Sequence, residues 1–253
     1  MCVLSRSLLL FFIIFCIGAC AQRNDFIHED KNPAKTQEFE ENRLLWKSCS
    51  RNDAEELALK AQEDGLAALD AAACYAFLAR QGGDRAERLA DAKEGRRMAE
   101  TAVKSSPESG TAHYLTAYLI GLEAENDPAR GLELVPILER EALTAAHLDP
   151  NIDDGGPDRM LGELYLRAPS VPISVGDIEK AIFHFRKAAK LAPDFLQNRI
   201  GLVEALTEDE DPVEACFEME KIFARMPPKK GMTTEWKRAV ELLKRICGVC
   251  NEK

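Results

Sequence analysis

LGELYLRAPSVPISVGDIEKAIFHFRKAAKLAP, residues 161–193, is the stretch that decides the fold. Leu161-Gly162 and Tyr165 open it on one predicted helix. Ala181, Phe185, Ala188 and Pro193 close it on the next, at steps of 4, 3 and 5 residues. The frame repeats downstream as Leu202 and Leu206, then Ala215, Met219, Ile222 and Pro227 at the same steps. Upstream, Pro107 and Pro150 fall on the same beat, each with an alanine five residues ahead, Ala102 and Ala145. The prolines are 43, 43 and 34 residues apart. A period of this length is that of stacked helical hairpins, because one hairpin cannot bury its apolar face alone.

Each residue type has a physical role. Small residues at the alanine positions let two helices approach, large residues between them fill the gap, and proline stops the second helix. Asp211-Pro212 with Glu214 reads as an N-cap, a proline at the first helical position and a capping-box acid. Asp127-Pro128, Asp177 and Gly156-Pro157 mark further helix starts, and no alternating strand pattern occurs in the mature chain. The two earlier copies are longer than the last, which predicts longer helices or loops; in the third copy the excess is Arg167 to Gly176. Residues 233–247 read as one more amphipathic helix, with Trp236, Val240, Leu243 and Ile246 on one face, in a capping role. The Leu-Gly, Tyr, Ala, Phe, Ala, Pro pattern resembles the tetratricopeptide (TPR) repeat. That resemblance implies an all-α, TPR-like α-solenoid of about four hairpins (66–107, 110–150, 153–193 and 196–227) with a C-terminal capping helix.

The first residues suggest an address. Arg6, the apolar run Leu8 to Ile17 and Gly18-Ala19-Cys20 make a secretory signal too short to span a membrane as a mature helix. Ile17-Gly-Ala-Cys20 resembles a bacterial lipobox. It implies a signal peptide over 1–19, cleavage before Cys20 and lipid on that cysteine. Each buried methylene would then contribute about 0.8 kcal/mol of anchoring. Ala21, where an aspartate would signal inner-membrane retention, implies the periplasmic face of the outer membrane. Residues 20–38 are polar and read as a tether, leaving 39–253 for the helical domain.

The chain carries 33 basic and 43 acidic residues, net −10, and loses Arg6 but no acid with the signal. It has no basic stripe for nucleic acid, and its acidity disfavours anionic lipid beyond the anchor. Glu208 to Asp211 lacks the alternating ligands of a calcium loop and reads as a solvated turn. Beyond Cys20 lie Cys49, Cys74, Cys216, Cys247 and Cys250, an odd set in an exported chain, where disulfides form. Cys49 with Cys74, and Cys216 with the end of the last helix, are the candidate neighbours. Cys247-Gly-Val-Cys250 sits at a helix C-terminus, where the dipole does not activate a thiol, so a structural role is favoured over a redox one.

No motif points to catalysis, a metal or a cofactor. His113, His147 and His184 fall on different predicted elements without ligand spacing, His28 lies in the tether, and no nucleophile elbow or phosphate loop is present. The chain therefore reads as non-enzymatic, with packing or surface roles for its histidines and a tight turn at Gly155-Gly156.

Function then rests on a surface. In the repeat frame, the first helix of each hairpin presents Tyr75, Tyr114, Tyr118, Arg159, Glu163 and Leu166, followed by Gln197, Ile200 and Glu204. The tyrosines suit a peptide or a small apolar ligand; equally, they suit filling between helices. The loop Ala168 to Val175 is apolar and carries two prolines; it folds over the groove or packs on the next hairpin. Gly155-Gly-Pro-Asp-Arg-Met-Leu-Gly-Glu-Leu-Tyr165, Ala168-Pro169, Gly176-Asp177 and Lys180-Ala181, behind a lipobox, resemble the T-component lipoproteins of TRAP transporters (the TatT family). The resemblance implies a hydrophobic pore, an apolar or organic-acid ligand and a periplasmic solute-binding partner. The other reading is a scaffold joining envelope proteins, with no small ligand.

Overall fold

The computed structural model describes residues 48–61, 64–225 and 234–250. The expected signal peptide, Cys20 and tether lie outside these residues, as do the side chains of Cys247 and Cys250. Among the described residues ten helices follow one another: α1 (Arg51–Lys60), α2 (Gly65–Gln81), α3 (Arg85–Ser105), α4 (Gly110–Asn126), α5 (Pro128–Leu148), α6 (Gly156–Arg167), α7 (Ile178–Leu191), α8 (Leu196–Glu208), α9 (Pro212–Arg225) and α10 (Thr234–Cys250). The protein is all-α. Among the described residues the sole β feature is a bridge between Ser170 and Gly176.

Each helix packs on the one before it, and the even-numbered helices α2, α4, α6, α8 and α10 also touch in succession. The first helices of the hairpins thus share one layer. The excess length of the early hairpins lies in their helices: α2 and α4 have 17 residues and α3 and α5 have 21, against 13 and 14 for α8 and α9. In the third hairpin the excess is a loop, closed at its neck where Gly176 N–H donates to Pro169 O and Asp177 N–H to Tyr165 O. A Cβ at Gly176 would lie 2.0 Å from Ala168 O, so only glycine closes that neck.

Helix starts follow local chemistry. Asp177 accepts from Lys180 N–H, and Asp211 from Glu214 N–H at 3.0 Å. The expected capping box at Glu214 does not close. Asp211 N–H donates instead to Leu206 O, and the Glu214 carboxylate accepts from Arg186 at 2.6 Å. A cross-helix partner has won over a local one.

The repeat positions are the core. Ala99, Ala142, Ala145, Ala181, Phe185, Ala188, Ala215, Met219 and Ile222 are fully buried. Phe185 is wedged between two glycines. A Cβ at Gly162 would lie 2.8 Å from its ring and one at Gly201 2.2 Å. On α10 the buried stripe is Ala239, Leu242 and Ile246. Trp236 packs against Phe223 with ring centroids 5.2 Å apart, while Val240, expected on the buried face, is turned to its edge. Cys49 and Cys74 form a disulfide that ties the approach to α1 onto α2, and Cys216 is also disulfide-bonded.

Candidate functional site

Two of the three tyrosines expected along a groove lie inside the protein. Tyr75 is 5% exposed and Tyr114 1%, whereas Tyr118 is half-buried. The cause is a glycine opposite each buried ring. Gly95 packs on Tyr75, with an added Cβ only 2.7 Å from Tyr75 Cβ; Gly156 makes room for the Tyr114 phenol, with an added Cβ 2.7 Å from its oxygen. Tyr114 Oη then donates to Asp153 Oδ2 at 2.6 Å, and its ring lies 6.1 Å from that of Tyr118. A buried phenol needs such a partner.

Burial disfavours the phenolate, so it raises the pKa of all four tyrosines in the chain. Tyr118 is pushed up to about 12, and Tyr114 rises well above its ordinary value. A raised folded pKa means stability is full below the unfolded value near 10 and is lost as pH rises through the folded values. At about pH 10.5 the folded protein is therefore expected to show little phenolate absorbance, and the urea-unfolded chain more than half of its maximum. Equal absorbance in the two states would place the rings in solvent.

Arg159, expected as a groove cation, is instead an internal bolt. Asp153, Asp154 and Gly155 stand in succession at φ 49, 56 and 80, the left-handed region. The two aspartates there cost about 1–2 kcal/mol each. Arg159 holds this turn: its guanidinium donates to Asp153 O at 3.0 Å, to Asn198 Oδ1 at 3.0 Å and to the Asp153 carboxylate. It stacks 4.6 Å from the Phe195 ring centroid. Asn198 completes the joint, donating to Asp154 O and Ala188 O.

Buried polar pairs recur at one place in the frame. Nine residues before Pro150 stands Glu141, and nine before Pro227 stands Glu218. Glu141 meets His113 Nδ1 at 2.6 Å, and Glu218 accepts from Arg199 Nη1 at 3.0 Å. His113 and Arg199 each lie six residues past a repeat proline and also reach that proline's carbonyl, Pro107 O at 2.9 Å and Pro193 O at 2.7 Å. The third hairpin reverses the polarity. His184 holds the acid's position and meets buried Asp158 at 2.7 Å. A lysine or arginine, Arg140, Lys187 or Lys221, also attends each carboxylate from outside. These side chains tie together the last three hairpins, and they place His113 and His184 in the packing between helices. Sequence reading passed over the pairs, although their fixed offset from the prolines marks them.

One face with room for a partner lies on α6, α8 and α10; another recess, of about 320 Å³, lies between the start of α2 and the α3–α4 turn, lined by Leu66, Leu69, Ser105 and Ser109 among others. A recess of about 420 Å³ is lined by Arg167, Glu204, Glu208, Arg238, Glu241, Leu242 and Arg245. A second, of about 230 Å³, lies between Tyr165, Leu166, Asp177, Ile178 and the 168–177 loop. Both include Arg167 and Glu208, so they join into one trough. Glu204 is clamped between Arg167, at 2.6 Å, and Arg238 Nε, also at 2.6 Å; Arg167 holds Glu163 as well, at 3.2 Å. Glu163 and Leu166 thus sit at or beside the trough, whereas Tyr75, Tyr114 and Arg159 serve the interior. The trough was hard to foresee because four of the seven residues lining its larger recess, Arg238, Glu241, Leu242 and Arg245, come from α10, expected only as a cap. No described helix is long and apolar enough to cross a membrane. The sequence matches no known protein-family model and has no detectable relative among curated proteins.

Proposed function

We propose that this chain is a non-catalytic, lipid-anchored module of the bacterial periplasm, and that it acts as a scaffold between envelope proteins through the trough on α6, α8 and α10. In this reading its helices are a TPR-like α-solenoid of about four hairpins closed by α10. The succession of contacts along the even-numbered helices supports that frame. The observation that carries the scaffold reading is the chemistry of the larger recess of the trough, where six of the seven lining residues are charged. Such a wall suits the polar rim of a protein interface. The resemblance to the TRAP-associated lipoproteins supports a carrier of a small apolar or organic-acid ligand, working with a solute-binding protein. That reading needs an apolar enclosure, and two of the tyrosines that would furnish one are committed to packing.

The test has two parts. Cys20→Ala is expected to move the protein out of the detergent phase, with no acyl mass on the wild-type N-terminal cysteine counting against the anchor. Mass spectrometry of what co-purifies with the native lipoprotein is then compared with Glu208→Lys/Glu241→Lys. A defined envelope protein retained by the wild type and lost from the double variant supports the scaffold. A small molecule retained by both, with no protein, would favour the carrier.

A further inference from the structure

Exposed apolar side chains gather on the layer opposite the trough. Phe183 (58% exposed) and Leu191 stand on α7, Val213 (75%) and Phe217 (56%) on α9, and Leu132 and Leu143 on α5. These are the second helices of their hairpins; among the described residues no large apolar side chain of α4, α6, α8 or α10 is exposed. Phe183 and Phe217 hold one place in the frame, ten residues before Pro193 and Pro227. Each has a lysine one turn on. Lys187 Nζ lies 5.8 Å from the Phe183 ring centroid and Lys221 Nζ 4.2 Å from that of Phe217. The two places border one another: Arg186, three residues past Phe183, meets Glu214, three before Phe217, at 2.6 Å.

The charge of this side is also set apart. The chain is net −10, yet α7 carries four basic residues against one acid. Lys180, Phe183, Lys187 and Lys190 follow at steps of 3, 4 and 3 residues, so they share one helix face. Of the acids beside the two rings, Glu214 is met by Arg186, which leaves Glu179 and Glu220. A ring flanked by lysines suits a partner that is apolar at one depth and anionic at another. The core of a protein interface is depleted of charge, and burying these ammonium groups there would strip them of water. At a bilayer surface the ring enters the acyl boundary while the lysine stems reach back to the phosphates.

We propose that the outer side of α7 and α9 rests on an anionic phospholipid surface, with Phe183, Val213 and Phe217 entering it and the lysines facing its phosphates. This inference rests on the lipid-anchored reading above and adds the face that the helical body turns to the bilayer. The trough, on the other layer, stays open to a protein.

The experiment uses the full-length lipoprotein on vesicles of phosphatidylcholine, alone or with phosphatidylglycerol, both containing a doxyl-labelled lipid as quencher. A fluorescent amino acid replaces Phe183 or, as the control, Leu66, exposed on α2. The probe at 183 should be quenched about threefold more on the anionic vesicles, and the probe at 66 equally on both. Salt at about 0.5 M, or Lys180→Glu/Lys190→Glu, should abolish the difference, and Phe217→Ser should reduce it by about half. Lys180 and Lys190 are exposed and join no buried pair, so the melting temperature of their variant should be unchanged. Equal quenching at 183 on both vesicle types, quenching at 66 as strong as at 183, or a lysine variant quenched like the wild type overturns the proposal. Retention on the phosphatidylcholine vesicles reports the anchor separately. A chain that does not stay on them has no anchor, and quenching on the anionic vesicles still decides this face.

Discussion

Arg159→Ala is expected to destabilise the protein by about 3–5 kcal/mol, the cost of removing one partner of a buried ion pair. The side chain is 16% exposed and its carboxylate partner, Asp153, 11%. Three further losses accompany the charge. Asn198 Oδ1 and Asp153 O lose a donor, the carboxylate that accepts from the Tyr114 phenol loses its arginine, and the left-handed turn at 153–155 loses its clamp. Arg159→Lys restores charge but not the planar fork that reaches three acceptors, so it should recover less than half of the loss. The control is Arg186→Ala, which removes an exposed pair with Glu214, both partners more than a third exposed. Exposed pairs contribute about 0–1 kcal/mol. Urea unfolding compares them, and similar midpoints for Arg159→Ala and Arg186→Ala would show that Arg159 is no internal bolt.

Gly201→Ala is expected to be a strongly damaging single-carbon change within the core. In an open helix alanine would be favoured over glycine by about 1 kcal/mol. Here the added Cβ would fall 2.2 Å from Phe185 Cε1. The ring is fully buried and faces Gly162 as well, so it has nowhere to retreat. Overpacking of this kind costs about 1–3 kcal/mol, and it should outweigh the helix preference. Phe185→Leu is destabilising alone but should partly rescue Gly201→Ala, because the two faults relieve each other. Thermal melts of both single variants and the double variant check this; strictly additive losses would mean that glycine and ring do not meet.

What could be read from the chain was whatever repeats. The proline beat, the alanine positions and the Phe185, Met219 and Ile222 sites follow from spacing alone, and they form the buried core. Helix starts at Asp177 and Asp211 follow from local capping. What could not be read depends on contacts distant in sequence. Tyr114 lies inside because Gly156, on the next hairpin, makes room for it. Arg159 turns inward because three consecutive left-handed residues and Asn198 surround it. Glu214 prefers Arg186 to its own helix start. Of the residues expected on a groove by register, Leu166 lines the smaller recess and Glu163 pairs with Arg167 beside it, but the clamp on Glu204 forms only when Arg167 and Arg238 converge on it from two other helices.

The central claim is that the trough on α6, α8 and α10 holds another protein. Photo-crosslinking in intact cells tests it most directly, with a photoreactive amino acid placed at Glu241 in the trough and, separately, at Lys190 on the exposed side of α7. The account predicts a discrete protein adduct from position 241 and none from position 190, with the 241 adduct lost in an Arg245→Glu background. An absence of any adduct from 241, or the same adducts from both positions, would contradict it.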